Sequence, residues 1–303
     1  MKDILAYYTL PSHATDPGPY AECLAQLPRS VPDLVELVQG LVIDKDFLDL
    51  YEPRPAGDRL GEVDTRYFSA MLALLLRMDA RPLTHTRQPV HRLVGSCRDY
   101  ALVLCALLRR VGIAARLRCG FNRYLRINPD FLDDHWVCEY WNGEGARWVL
   151  VDANVDAGVR QKYSITIDTL DLPRDQFLIA GDAWRMARQG EIDPDQLGVS
   201  SIGIHGLWFA RGSVVRDLAC LNKVEVLPWD YWGLSDAPRG SFPFEQLEAL
   251  DHAANATSSA DNLPMLRELF LRDGFRLPDK ITSYSPASGR TEVILTQYAD
   301  RLG

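Results

Sequence analysis

The stretch GSCRDYALVLCALLRRVGIAARLRCGF, residues 95–121, decides the fold. Its first part is written for a helix. Ser96 and Asp99 make a Ser-x-x-Asp start, the body is rich in Ala and Leu, Arg109 and Arg110 fall in the last turn, and Gly112 stops it. Beyond Gly112 the apolar period changes from 3.6 to 2, and residues 114–121 alternate as a strand. With Ser96 as cap, Cys97 is the first residue of the helix, where backbone N–H groups without intrahelical partners favour a negative charge. A thiolate forms more readily there, and the thiolate is the nucleophile. Cys105 falls mid-helix, and Cys119 and Cys138 fall in strands, as small core residues do.

Downstream, HWVCEYW (135–141) and ARWVLVDA (146–153) also alternate as strands. Between them Asn142-Gly143-Glu144-Gly145 suits a hairpin turn. If the chain turns at Gly143-Glu144, His135 lies directly opposite Asp152. Opposed residues on antiparallel strands hold their Cβ atoms roughly 4.5–5.5 Å apart, close enough for an imidazole and a carboxylate to share a hydrogen bond. A slip of one residue would put the two on opposite faces.

The order of these motifs resembles the core of the transglutaminase-like superfamily, which is papain-like. There a cysteine opens a helix that ends in a Gly-Ile-x-Ala-Arg strand entry, followed by a His-Trp-Val strand and a Trp-x-x-x-Asp strand. In this chain these are Cys97, residues 112–116, 135–137 and 148–152. The resemblance implies an α+β fold with the nucleophile helix packed on an antiparallel sheet. It also implies Cys97 as nucleophile, His135 as base and Asp152 as orienter. The implied chemistry is thiol-dependent: acyl transfer that forms an amide bond, or amide hydrolysis, through a thioester on a small-molecule or peptide-like substrate, with an amine or water as acceptor. A cysteine peptidase or amidase and a catalytically idle binding module are the rivals. The crosslinking members carry a tryptophan upstream of the cysteine as an oxyanion donor. Here no tryptophan precedes Trp136, so the second donor beside the Cys97 N–H is open, with Gln88 and His91 as candidates.

A lone cysteine on an apolar helix is more often core than catalyst; the helix-start position and the matching His and Asp reverse that here. Asp99 is explained by its capping role. The segment HGLWFARGSVVRDLACLNKVEVLPWDYWG, residues 205–233, gathers Trp208, Arg211, Arg216, Asp217, Trp229 and Asp230. Aromatics and arginines near turns suit a ligand cleft, with Trp208, Arg211 and Trp229 as substrate-binding candidates. They equally suit a helix packed on the core.

Outside the core, helices are expected over residues 31–40, 44–51, 64–78, 170–190 and 213–222, the last from a Ser213 cap, and a surface loop over 253–262. The expected division is a helical N-terminal extension (1–60), a catalytic core (61–165) and a largely helical C-terminal extension shaping the cleft (166–303). A net charge of −8 gives no basic field for nucleic acid or an anionic membrane. No apolar run reaches the length of a membrane span or a signal-peptide core. Six sparse cysteines point to a reduced, cytoplasmic protein rather than a disulfide scaffold. No metal site or cofactor is expected, and the oligomeric state is open.

Overall fold

The computed structural model describes residues 1–240 and 242–295, in an α+β fold whose chain divides into two compact units. The first comprises residues 1–117 and 137–172, the second 118–136 and the chain from Pro173 onward.

In the first unit the elements are α1 (Lys2–Thr9), α2 (Val31–Leu41), β1 (Val42–Asp44), α3 (Phe68–Met78), β2 (Leu93–Gly95) and α4 (Cys97–Arg110). Strands β3 (Ala115–Asn122) and β4 (Leu132–Asn142) have residues in both units; β5 (Arg147–Val151) and α5 (Ala157–Lys162) complete the first. Helix α4 is the hub, buried from Arg98 to Arg109 and packed by α1, α2 and α3. Its capping box forms as the Ser-x-x-Asp start predicts: Asp99 Oδ2 accepts the Ser96 N–H at 2.8 Å. Helix α2 shows the same logic, with Ser30 Oγ capping the Asp33 N–H and Leu34, Val35, Val38 and Leu41 buried along one stripe. Strands β1 and β2 run parallel, with Asp44 opposite Gly95.

Residues 44–51 therefore do not form the expected helix. The chain leaves β1 through a turn in which Asp44 Oδ1 accepts the Asp46 N–H, and only Leu48–Leu50 makes a short 3₁₀ turn. Likewise the helix expected from residue 64 starts at Phe68, after a 3₁₀ segment at Gly57–Asp64.

The β4–β5 hairpin forms, but with Cys138 opposite Val151 and Asn142 opposite Arg147. That register is two residues away from the one that would set His135 opposite Asp152. The reason is the loop. Asn142 Oδ1 accepts the N–H groups of Glu144 (3.0 Å) and Gly145 (3.2 Å), and Ala146 takes a left-handed φ of 49°, so the turn uses four residues rather than two. A shift of two preserves alternation, so His135 keeps its face of β4 and moves one same-face step along it. The hairpin is pinned by the Trp141–Trp148 pair, with ring centroids 5.6 Å apart. The Arg116 guanidinium lies 3.9 Å over Trp148, and its Nε donates to Glu139 Oε2 at 2.7 Å.

The second unit holds β6 (Phe177–Ile179), α6 (Ala180–Gln189), β7 (Leu197–Val199), β8 (Ile204–His205), α7 (Leu207–Leu221), β9 (Asp230–Tyr231), α8 (Phe244–Ser259), α9 (Leu263–Phe270), β10 (Lys280–Ser285) and β11 (Gly289–Ile294). Strand order in the main sheet is β6-β3-β4-β7-β8, with β5 on β4. Helices α6, α7 and α8 pack mutually.

Several expectations are corrected here. Of residues 170–190 only Ala180–Gln189 is helical, because Phe177–Ile179 pairs with β3. The helix expected from a Ser213 cap begins six residues earlier, and Ser213 is internal, its hydroxyl donating to the Phe209 carbonyl. Residues 253–259 of the expected loop belong to α8. Ala253, Ala254, Ala256 and Thr257 are buried there, against an α6 so close that a Cβ on Gly181 would stand 2.3 Å from the Ala254 oxygen. The C-terminal part also carries a three-stranded sheet, β11-β10-β9, beside its helices.

Candidate active site

Of the expected triad, Cys97 and Asp152 lie in the first unit and His135 in the second, and each is described in its own surroundings. Cys97 is half-buried as the first residue of α4, directly after β2 and the Ser96 cap. The parallel β1–β2 ladder sets this point: one residue past it, the Lys45 N–H donates to the Gly95 carbonyl at 2.9 Å.

Asp152 is buried just past β5. Its N–H donates to the Thr169 carbonyl (2.8 Å) and its Oδ1 accepts the Asn154 N–H (2.8 Å). Asn154 carries the connection onward, its Nδ2 donating to Asp44 Oδ2 at 2.9 Å. Gln39 Nε2 holds the same loop through the carbonyls of Ala153 and Val155. Burial pushes the Asp44 carboxyl up to about 6. Beside it stands Lys45. Burial pulls its ammonium down, but Asp46 first, then Asp44 and Cys97, outweigh that and leave it above its ordinary value. A run of polar contacts and charges thus leads from Asp152 through Asn154, Asp44 and Lys45 to Cys97. Asp44, Lys45 and Asn154 are not among the residues that the sequence singles out. They lie outside the motif strings, and only a predicted β1–β2 pairing, fifty residues apart, would have found the first two.

His135 is buried in β4, with its ring edge-on to Tyr124 (6.1 Å) and Phe177 (6.5 Å). Its neighbour Asp134 points to the other face. Burial raises the Asp134 carboxyl to about 6, with Arg216 and then His135 acting against the rise.

The other candidates sit in the second unit. Trp208, in the first turn of α7, is half-exposed, with the Arg239 guanidinium 4.1 Å over its ring. Trp229 is also half-exposed, and its indole Nε1 is buried with no hydrogen-bond partner among the described residues. Arg211 is fully buried. Its Nη2 donates to the carbonyls of Ala237 and Pro238, and its guanidinium lies 5.0 Å from the Phe242 ring. The structure uses Arg211 to fasten the segment after Ala237. Gln88 is exposed, and His91 ends a short 3₁₀ turn at Pro89–His91.

Among the described residues no helix is long and apolar enough to cross a membrane, and none of the six cysteines is in a disulfide.

Residues 65–153 match the family model of the transglutaminase-like superfamily, an interval that contains Cys97, His135 and Asp152. This segment is similar to the core of the transglutaminase-like superfamily. No curated protein matches the chain. Among solved structures the chain is similar to a candidate cysteine protease from Cytophaga hutchinsonii, at 16% identity over 59% of this chain and 48% of that one, with a TM-score of 0.33. The chain thus spans about half the length of that protein.

Proposed function

We propose that this protein is a thiol-dependent acyl-transfer enzyme, with Cys97 as nucleophile, His135 as general base and acid, and Asp152 as the carboxylate that orients the imidazole. The observation that carries the reading is Cys97 itself. It is the first residue of a capped helix inside the one segment that matches the transglutaminase-like superfamily.

In this reading His135 takes the Sγ proton and the thiolate attacks an amide or ester carbonyl, forming the C–S bond and an oxyanion. The backbone N–H at the start of α4 faces the growing charge. Collapse expels the amine or alcohol, which leaves with the proton from His135. The thioester then passes its acyl group to an amine or to water, which gives a proton to His135 as the C–S bond breaks and the thiolate returns. The substrate is a small molecule or a peptide-like chain, with Trp208 and Trp229 as half-exposed aromatic surfaces for it. Arg211 belongs to that set only by holding the segment after Ala237. A cytoplasmic setting belongs to the same reading, supported by six cysteines outside any disulfide.

The test is direct. Iodoacetamide at pH 7 should alkylate Cys97 roughly tenfold faster than a model thiol, because the thiolate, favoured at a helix N-terminus, is the reacting form. p-Nitrophenyl acetate should release a burst of nitrophenolate and leave an acetyl group on Cys97, both absent in C97S. Added amines that intercept the acetyl group establish transfer; acetate alone establishes hydrolysis. Alkylation no faster than the model thiol sinks the reading.

A further inference from the structure

Resting on Cys97 as nucleophile, we propose that Lys45 is its charge partner: the ammonium favours the thiolate and holds it ready for attack. The backbone fixes the juxtaposition. Strands β1 and β2 run parallel with Asp44 opposite Gly95, and the Lys45 N–H closes onto the Gly95 carbonyl at 2.9 Å. The chain leaving β1 and the chain entering α4 therefore start side by side, Lys45 on one and Cys97 on the other. The Lys45 side chain is only 20% exposed, and its Nζ stands 2.5 Å from Asp46 Oδ2, on a carboxylate that is itself 57% exposed.

A plain surface ion pair would need nothing more. Lys45, however, is mostly covered, and covering an ammonium is costly unless negative charge lies near it. Asp46, Asp44 and Cys97 are the groups that supply it. Interaction between two titrating groups is mutual: a thiolate that strengthens the ammonium's hold on its proton is stabilised by that ammonium to the same degree. Lys45 keeps its proton throughout the neutral range, so it is a fixed cation rather than a base. Asp44 and Asp46 are the competing charges on the Lys45 side. On the α4 side Asp99 is bonded to Arg98 at 3.1 Å. Burial raises the Asp44 carboxyl to about 6, so at neutral pH it is mostly ionised and competes with the thiolate for the ammonium.

The experiment is the pH profile of Cys97 alkylation by iodoacetamide in the wild type, K45M, K45Q and K45R. The reagent is uncharged, so Lys45 cannot steer it. K45M and K45Q should slow alkylation at pH 7 by about 5–10-fold and move the profile's midpoint up by up to about one pH unit. All four proteins should converge at pH 10, and K45R should stay within about twofold of the wild type, because it keeps the charge. Profiles of K45M and K45Q that coincide with the wild type overturn the proposal. So does slowing that persists at pH 10, which would report access to the thiol rather than its charge. A wild-type profile like that of a model thiol would instead remove the nucleophile reading on which this one rests. Circular dichroism establishes that each variant is folded before its profile is read.

Discussion

Helices α4 and α7 are the buried centres of their two units, and they solve the same problem differently. Each is covered almost all round, α4 from Arg98 to Arg109 and α7 from Phe209 to Leu221, and each carries charge into that interior. In α4 the opening charges are answered close at hand. Asp99 Oδ2 accepts the Ser96 N–H, and Arg98 bonds to Asp99 at 3.1 Å and to the Arg66 carbonyl at 2.9 Å. Helix α7 starts at Gly206, at φ 116°, with no side-chain cap. Its Asp217 is answered from β3: Arg118 Nε and Nη2 approach the two carboxylate oxygens at 3.1 and 2.8 Å, and the Cys119 N–H adds a third bond at 3.0 Å. The adjacent Arg216 is buried with Nε and Nη1 unbonded among the described residues. The start of α4 is thus organised by its own sequence, and α7 is defined by what surrounds it. The nucleophile proposed at the head of α4 stands on a terminus that its own first turn determines.

The largest expected effect tests the dependence of α7 on its surroundings. D217A removes the carboxylate that answers the Arg118 guanidinium and leaves that guanidinium buried, with the Thr257 carbonyl at 2.7 Å among its remaining bonds. Breaking a buried pair in this way costs about 3–5 kcal/mol. Urea unfolding should show that loss. Replacing both partners, as R118M with D217L, should recover much of it, since an apolar pair of similar volume removes the stranded charge. A D217A protein as stable as the wild type would break the comparison outright.

The same contrast explains what was legible in the sequence. The bounds of α4 could be read because Ser96, Asp99 and Gly112 act within a few residues of themselves. The start of α7 could not, because Gly206 offers no side-chain signal while Ser213 offers a false one, spent on the Phe209 carbonyl. Residues 253–259 mislead similarly. Small residues mark loops, but they also mark places where helices touch, and here Ala254 and Thr257 meet Gly181. In the hairpin the alternation was readable and the loop length was not. The two bonds to Asn142 Oδ1 and the left-handed Ala146 lengthen the turn without altering the strand pattern. Cys97, His135 and Asp152 stand out by motif, but spacing fixes partners along a ladder rather than distances between separate elements. For that reason the role proposed for Lys45, which rests on a parallel pairing fifty residues away, could be inferred only from the folded chain.

A smaller effect is expected at the head of α4. S96A removes the side-chain half of the capping box and should cost about 1 kcal/mol, the usual worth of an N-cap. If α4 owes its start to local sequence, the loss will appear in urea unfolding and the Cys97 alkylation profile will shift up in the same variant. A stability change with no shift in the profile would detach the thiol from the cap, leaving Lys45 and the helix dipole to account for its charge.

The smallest effect is a slope rather than an offset, and it separates the charges around α7 by pH. Asp134, half-buried on β4, is raised to about 6 mainly by burial, with Arg216 of α7 only partly opposing the rise. In the unfolded chain an aspartate ionises near 3.9. Below about pH 4 the carboxyl is protonated in both states, and its contribution to stability is fully present. Between about 4 and 6 the unfolded chain gives up its proton first, so the folded state loses ground as pH rises, and above about 6 the loss is complete. D134N cannot ionise and lacks this slope. Measured by urea unfolding from pH 4 to 7.5, the variant should gain on the wild type between pH 4 and 6, and the difference should then level off. If the wild type gains instead, Arg216 outweighs burial, and the two faces of α7 are paired as firmly as the first turn of α4.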